Sequence, residues 1–106
     1  MRIPFYFMMM DITIHIGLLQ ISVFIPEAHS LKEKRMVLKR LKDKIRNKFN
    51  VSIAELDQMD KWQTAVIGIT MVSNDSRYID KTLQHIKSFI EAYHALEITD
   101  HVIEFV

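Results

Sequence analysis

Residues 12–25 read ITIHIGLLQISVFI, a run rich in the β-branched residues that favour extended backbone, and Pro26 ends it. Up to Leu19 the run is apolar at odd and even positions alike, and beyond it apolar and polar residues alternate. An extended segment that is apolar on both faces belongs in the middle of a sheet, covered on both sides. The run therefore predicts a central strand.

A helix is predicted directly after this strand. Ser30 begins it, and Glu33 stands three residues later, which is the spacing of a capping box. The helix has an apolar stripe at a spacing of 3.6 residues, formed by Leu31, Leu38, Leu41, Ile45 and Phe49. Asn50 is a suitable stop.

Two further strands are predicted at residues 51–56 and 62–73, joined by the polar turn 57–61. Ser73 or Asn74 can cap a second helix, with Asp75 near its positive end. The stripe of that helix is formed by Ile79, Leu83, Ile86, Ile90 and Tyr93. Residues 96–106 predict a fourth strand, and Asp100 and Glu104 within it indicate a place at the sheet edge.

The order β-α-β-β-α-β with right-handed crossovers predicts an α+β, ferredoxin-like fold: a four-stranded antiparallel sheet with two helices on one face. Residues 10–106 are expected to form this single domain. Because Met8, Met9 and Met10 are consecutive, residues 1–9 are interpreted as an N-terminal extension or a start-site artefact. The only glycines, Gly17 and Gly68, lie in the two central strands, where they indicate close packing rather than a ligand.

The sheet face without helices is too apolar to suit water. We expect it to form a homodimer interface, because large apolar patches usually mark interaction sites. The expected interface residues are Trp62, Thr64, Val66, Thr70 and Val72. The alternative is a half-exposed face that a monomer tolerates. The aromatic residues with which RNA-recognition domains stack bases on this face are missing, so RNA is not expected to bind there.

The first helix is strongly basic. Residues 31–49 contain nine Lys or Arg and two acidic residues, a charge of +7 on a chain of net charge +1. Five residues line one flank of the apolar stripe and are called the ridge: Lys32, Arg35, Lys39, Lys42 and Arg46. Arg40, Lys44 and Lys48 fall on the far side. Like charges four residues apart are unfavourable in a helix, so the ridge indicates an anionic partner.

Three interpretations of the ridge stay open: nucleic acid, an acidic protein surface, or a solvated face. The start of the helix adds a possible anion site at His29 and Ser30, because first-turn amides point outward there. Plain capping by Ser30 is the alternative. The residues expected to contact nucleic acid or an anion are His29, Ser30, Lys32, Arg35, Lys39, Arg40, Lys42 and Arg46.

No catalytic constellation is recognisable, so we expect no enzymatic activity, cofactor or metal. Cysteine is absent, which excludes disulfides and thiolate metal sites and agrees with a reducing cytoplasm. Glu55, Asp57 and Asp60 could hold a hard cation, but such a turn is more often solvated. The longest charge-free run, residues 12–26, is too short to span a membrane as a helix.

Four segments resemble one protein family: PEAHSLKEKR (26–35), FNVSIAE (49–55), DKWQ (60–63) and VSND (72–75). Together they are similar to the YlxP-like family of small bacterial proteins of unknown function. The resemblance implies a ferredoxin-like fold, a cytosolic location and, from the neighbourhood of the family's genes, a tie to ribosome maturation. Glu27 departs from the family, which often has glycine there, and residues 1–9 lie outside the pattern.

These observations together predict a non-enzymatic factor associated with RNA or the ribosomal subunits through its first helix. The alternative is a protein-interaction module that docks an acidic partner through the same helix. No membrane partner is expected.

Overall fold

A computed structural model describes residues 6–7 and 12–106 of the chain. Its strands are β1 (Tyr6–Phe7), β2 (Ile12–Thr13), β3 (His15–Phe24), β4 (Ser52–Asp57), β5 (Thr64–Ser73) and β6 (Glu97–Phe105). Its helices are α1 (Leu31–Lys48), between β3 and β4, and α2 (Ser76–Glu91), between β5 and β6. The order of the six long elements is therefore β-α-β-β-α-β, as the sequence predicts.

The main sheet has the strand order β4-β5-β3-β6, and every neighbouring pair is antiparallel. This is the ferredoxin-like α+β arrangement, and the predicted fold is confirmed. The strands that are apolar on both faces, β3 and β5, occupy the centre. The more polar β6 lies at one edge, as predicted from its acidic residues, and β4 forms the other edge.

The hydrophobic core lies between the sheet and the two helices. Side chains alternate across a strand, so every second residue of β3 and β5 points into the core. The buried residues of these two strands on the helix side are Leu19, Ile21, Val23, Ala65, Ile67, Ile69 and Met71. The helices complete the core with Leu38, Leu41, Ile45, Ile79, Leu83, Ile86 and Ile90. All these helix residues belong to the predicted stripes.

The ends of several elements differ from the prediction. The run 12–25 is divided at Ile14: β2 pairs with β1 in a separate two-stranded sheet, and only β3 enters the main sheet. Trp62 precedes β5 rather than beginning it. The predicted extension at residues 1–9 lies mostly outside the described residues. Only β1, residues 6–7, belongs to both.

The cap of α2 is Asp75, neither Ser73 nor Asn74. The Asp75 carboxylate accepts hydrogen bonds from the backbone N–H groups of Arg77 at 2.9 Å and Tyr78 at 3.3 Å. Ser73 instead accepts one from the Asp75 N–H through its hydroxyl, at 3.1 Å. A carboxylate is the stronger acceptor at the positive helix end, so it takes the cap position.

The two glycines lie on opposite faces of the sheet. A Cβ at Gly17 would clash with Ile79 Cγ2 and stand 3.0 Å from Leu83 Cδ1, so Gly17 lets α2 approach β3. A Cβ at Gly68 would stand 2.5 Å from Leu56 Cδ1 on the open face. Both positions are sites of close packing.

Candidate nucleic-acid interface

The ridge lies on the flank of α1 that faces the edge strand β4. From Lys32 to Arg46 it extends about 21 Å at the rise of an α-helix. Lys32, Arg35, Lys39 and Arg46 are exposed, and Lys42 is half-buried. The structure thus brings the five predicted residues together along one helix flank, within reach of an extended anionic partner.

Two ridge residues already have partners in the chain. Lys39 Nζ lies 2.8 Å from Asp43 Oδ2, an ion pair between side chains that are 76% and 50% exposed. Arg46 donates a hydrogen bond from Nη2 to the backbone carbonyl of Ile53, at 3.1 Å. Arg46 therefore joins the end of α1 to β4, and its guanidinium is only partly available to another molecule.

Asp43 is the one acidic side chain beside the ridge on α1. The hydrogen bond from Lys39 lowers the pKa of the Asp43 carboxyl below its ordinary value, and the charges of Lys39, Arg46 and Lys42 act in the same direction. Asp43 is consequently charged at neutral pH and offsets one positive charge. An exposed pair of this kind is screened by salt and readily exchanged for a phosphate partner.

Six cations of α1 form no hydrogen bond or ion pair with any other residue that the structure describes: Lys32, Arg35, Arg40, Lys42, Lys44 and Lys48. Arg40 and Lys44 lie on the far side of the helix from the ridge. The freely available charge is therefore spread over two helix faces, with Lys32, Arg35 and Lys42 on the ridge.

Lys34 is the exception among the basic residues of α1, because it is buried and only 1% exposed. Its ammonium donates hydrogen bonds to the carbonyls of Gln58 at 2.6 Å and Lys61 at 2.7 Å. It also lies 2.9 Å from Glu55 Oε2, which is buried and accepts no hydrogen bond from the described residues; the contact is an ion pair with poor hydrogen-bond angles. Lys34 thus holds the β4–β5 turn and contributes nothing to the ridge.

The start of α1 is occupied by the protein's own groups. The Ser30 hydroxyl accepts from the Glu33 N–H at 3.1 Å, and Glu33 Oε1 accepts from the His29 N–H at 3.1 Å. This carboxylate stands at the positive helix end, where a bound anion would otherwise find its donors. The geometry favours the capping interpretation of Ser30 and leaves the exposed His29 ring at the margin of the basic surface.

Four of the five residues expected at a dimer interface lie in β5, on the open face of the sheet. The fifth, Trp62, lies just before that strand. Thr64, Val72 and Trp62 are exposed, the last two at 65% and 56%, whereas Val66 and Thr70 are half-buried. The Thr70 hydroxyl donates to the carbonyl of Gly17 at 2.7 Å, so its polar group is satisfied within the sheet. This leaves an apolar surface from β3 and β5 uncovered by either helix.

Leu56 also lies on this face, although the sequence did not indicate it. A register shift between Glu55 and Asp57 leaves Leu56 unpaired, and its side chain reaches over Gly68. Leu56 shares this face with Ala54, two positions earlier, as the alternation of side chains along a strand requires. Leu56 is 47% exposed and enlarges the apolar patch.

The acidic group near the β4–β5 turn does not assemble. Glu55 pairs with Lys34, while Asp57 and Asp60 are exposed. The described part of the chain contains no group of three His, Cys, Asp or Glu arranged to hold a metal ion. Neither of its two helices combines the length and apolar composition needed to cross a bilayer.

Fold and surface together define a small ferredoxin-like α+β domain with a cationic helix beside one edge of its sheet. The chain belongs to the family described as "Protein of unknown function (DUF503)", whose family model matches residues 16–103. It is also 43% identical over 84 residues to the "Uncharacterized protein YlxP" of Bacillus subtilis (strain 168). That similarity covers 79% of this chain and 91% of the relative, and it confirms the resemblance seen in the sequence.

Proposed function

We propose that the protein is a non-enzymatic cytoplasmic factor that associates with RNA through α1. In the cell, this RNA would be that of the ribosomal subunits. The observation that carries the proposal is the set of cations on α1 that find no partner among the described residues. Side chains held near one another without counter-charges repel, and phosphates relieve that repulsion while releasing their own counterions. The ribosome enters from what the family resemblance implies.

The ridge suits a backbone contact better than the reading of bases. Its side chains are Lys and Arg on one helix flank, and α1 itself contains no aromatic residue that could stack a base. Binding should therefore depend on salt and little on sequence. If Lys32, Arg35, Lys39 and Lys42 each neutralise one phosphate, the slope of log K against log salt for single-stranded RNA is about −3.

Filter binding of a short single-stranded RNA at several salt concentrations tests this proposal. Arg35→Glu should weaken retention several-fold and make the salt slope shallower by about one or more. Asp43→Asn should act in the opposite direction, because it releases Lys39 and removes a negative charge. The matched control is Arg77→Glu, which makes the same charge change at an exposed arginine of α2. Equal effects of the Arg35 and Arg77 substitutions would refute a role for the ridge.

Sedimentation of the tagged protein with ribosomal subunits, with and without nuclease, separates RNA from an acidic protein partner. We expect co-sedimentation at low salt that disappears after nuclease treatment or in the Arg35→Glu variant. Recovery of a partner that survives nuclease but still depends on Arg35 would support the protein-interaction module instead.

We also propose that the protein is a homodimer that pairs through the open sheet face. The exposed Val72, Leu56 and Val102 support this, since they join half-buried apolar residues of the central strands in one patch. A two-fold contact would cover the patch in both copies at once.

A further inference from the structure

A cavity of about 350 Å³ lies where the end of α1 meets α2 and the end of β5. Its size is at the lower end of the range for small-molecule sites, about 300–1,000 Å³. Lys48, Phe49 and Asn50 provide one wall, and side chains of α2 provide the other. The cavity is separate from the ridge, because Lys48 lies on the other flank of α1.

The charge of this cavity is positive. Lys48 from the end of α1 and Lys81 from α2 both line it, and no Asp or Glu does. Neither ammonium forms an ion pair or a hydrogen bond with the residues described, 6–7 and 12–106. Two uncompensated lysines at one concave site favour an anionic group, and a phosphate is the group that several ammonium donors commonly bind.

Two aromatic rings lie beside the Lys48 ammonium: Phe49 in the cavity wall and Phe89 outside it. Lys48 Nζ lies 5.1 Å from the ring centroid of Phe89 and 5.8 Å from that of Phe49. The Phe49 ring in turn meets His85 edge to face, with 5.4 Å between the centroids. These contacts limit the freedom of the lysine before any ligand binds, which lowers the entropic cost of binding.

The remaining wall suits a flat, polar ring. Tyr78 lines the cavity with a side chain that is 56% exposed, so one side of its ring is accessible. Asn50 and Thr82 also line it, and their side chains make no hydrogen bond to the described residues. An aromatic surface with adjacent amide and hydroxyl groups is typical of sites that bind nucleobases.

A second cavity of about 430 Å³ continues from the first and shares Asn50, Met71 and Val72 with it. Its other walls include Ile16 and Val51. Its lining also includes Thr70, which with Val72 belongs to the open sheet face proposed as the dimer interface, so the ligand site is confined to the first cavity.

From this arrangement we propose that the cavity binds a nucleoside monophosphate, with its phosphate at Lys48 and Lys81 and its base against Tyr78. The same chemistry is offered by a free nucleotide and by one nucleotide of an RNA chain. The proposal does not depend on RNA binding by the ridge. A sequence signal for it exists in hindsight, since Tyr78, Lys81, Thr82 and His85 follow the i, i+3, i+4, i+7 spacing of one helix face.

Titration of the full chain with AMP, adenosine and inorganic phosphate, followed by calorimetry and by amide NMR shifts, tests the proposal. AMP should bind at least about tenfold more tightly than either of its parts, because base and phosphate contacts act together. Shifts should concentrate around residues 48–50 and 78–85. Equal binding of AMP and phosphate would reduce the site to an adventitious ion only and overturn the proposal, as would the absence of AMP binding.

Variants separate the two contacts. Lys81→Gln should lower the affinity for AMP about tenfold. Lys87→Gln on the same helix should leave that affinity unchanged, because Lys87 does not line the cavity. Tyr78→Ala should also lower the affinity for AMP about tenfold. Tyr78→Phe should retain most of the affinity, because it keeps the aromatic ring. Similar losses in the Lys81 and Lys87 variants would contradict the assignment.

Two further arms identify the source of the nucleotide and separate this proposal from the ridge. A short oligoribonucleotide that binds the cavity much more tightly than AMP indicates an RNA nucleotide, and equal affinity indicates the free one. Arg35→Glu should leave AMP affinity unchanged. If AMP does not bind while RNA retention still depends on Arg35, the proposal for the cavity is wrong and that for the ridge stands. If AMP binds but RNA retention does not depend on Arg35, only the proposal for the ridge is wrong.

Discussion

Lys34 shows how two residues of one type in one helix turn can have opposite roles. Lys32 is exposed and has no described partner, whereas Lys34 is turned by about 200° around the helix and is buried. A buried ammonium is tolerated only when it is paired and hydrogen-bonded, and here two carbonyls and Glu55 meet that need. Charge counting alone treats both lysines as parts of one basic surface.

We expect Lys34→Met to lower the free energy of unfolding by about 3 kcal/mol, because it leaves Glu55 and two turn carbonyls without their cation. Lys32→Met is the matched control and should stay within about 0.5 kcal/mol of the wild type, as is usual for an exposed position. Urea unfolding of the two variants makes the comparison. Similar midpoints for both would show that the buried contacts add no net stability.

At the scale of the element, close approach depends on what lies opposite the backbone. Gly17 faces the buried side chains of Ile79 and Leu83, which are fixed within the core under α2. Gly68 faces the end of the Leu56 side chain, which is half-exposed and able to move. A methyl group added at Gly17 would therefore contact side chains that cannot move, and one added at Gly68 would contact a side chain that can.

Gly17→Ala should cost about 1–3 kcal/mol of stability, since the added methyl forces α2 away from β3. Gly68→Ala should be close to neutral, because Leu56 can turn aside and alanine is favoured over glycine in a strand by about 0.5–1 kcal/mol. Thermal unfolding of the two variants measures the difference. A larger loss for the Gly68 variant would contradict this account of the two faces.

The sequence predicted the elements well because their signals are local or periodic. Ser30 with Glu33, and the stripe around Leu38 and Ile45, specify α1 without reference to the rest of the chain. Helical periodicity places Lys34 toward the apolar stripe, but its partners and the bulge at Leu56 were not predictable in this way, since both depend on contacts between distant segments. The cavity at the end of α1 was missed for the same reason: Lys48 and Lys81 are 33 positions apart.

At the scale of the whole molecule, charge and apolar surface are segregated. The basic residues concentrate on α1 in the helical layer, and the apolar patch lies on the opposite side of the sheet. A dimer formed through the open face would turn both helical layers outward. Each particle would then present two ridges, and bivalent contact with one RNA would strengthen binding beyond that of a single copy.

Light scattering tests the dimer. We expect the wild type at micromolar concentration to have twice the mass of the 12.5 kDa chain, and Val72→Lys to shift it toward the monomer. Val72 is 65% exposed, so the substitution should leave the folded monomer intact. Met36→Lys, at an exposed apolar residue of α1, is the control and should remain dimeric. A wild-type mass near 12.5 kDa would exclude the interface.

The turn between β4 and β5 has a consequence for engineering the chain. Surface turns usually accept inserted residues, tags or permuted termini. Here the Lys34 ammonium bonds two carbonyls three positions apart, those of Gln58 and Lys61. Gln58, directly after β4, also has the left-handed backbone conformation, with φ of 67°. An insertion anywhere in residues 58–61 would separate acceptors that one ammonium must reach together, so a reporter or affinity tag belongs elsewhere on the surface.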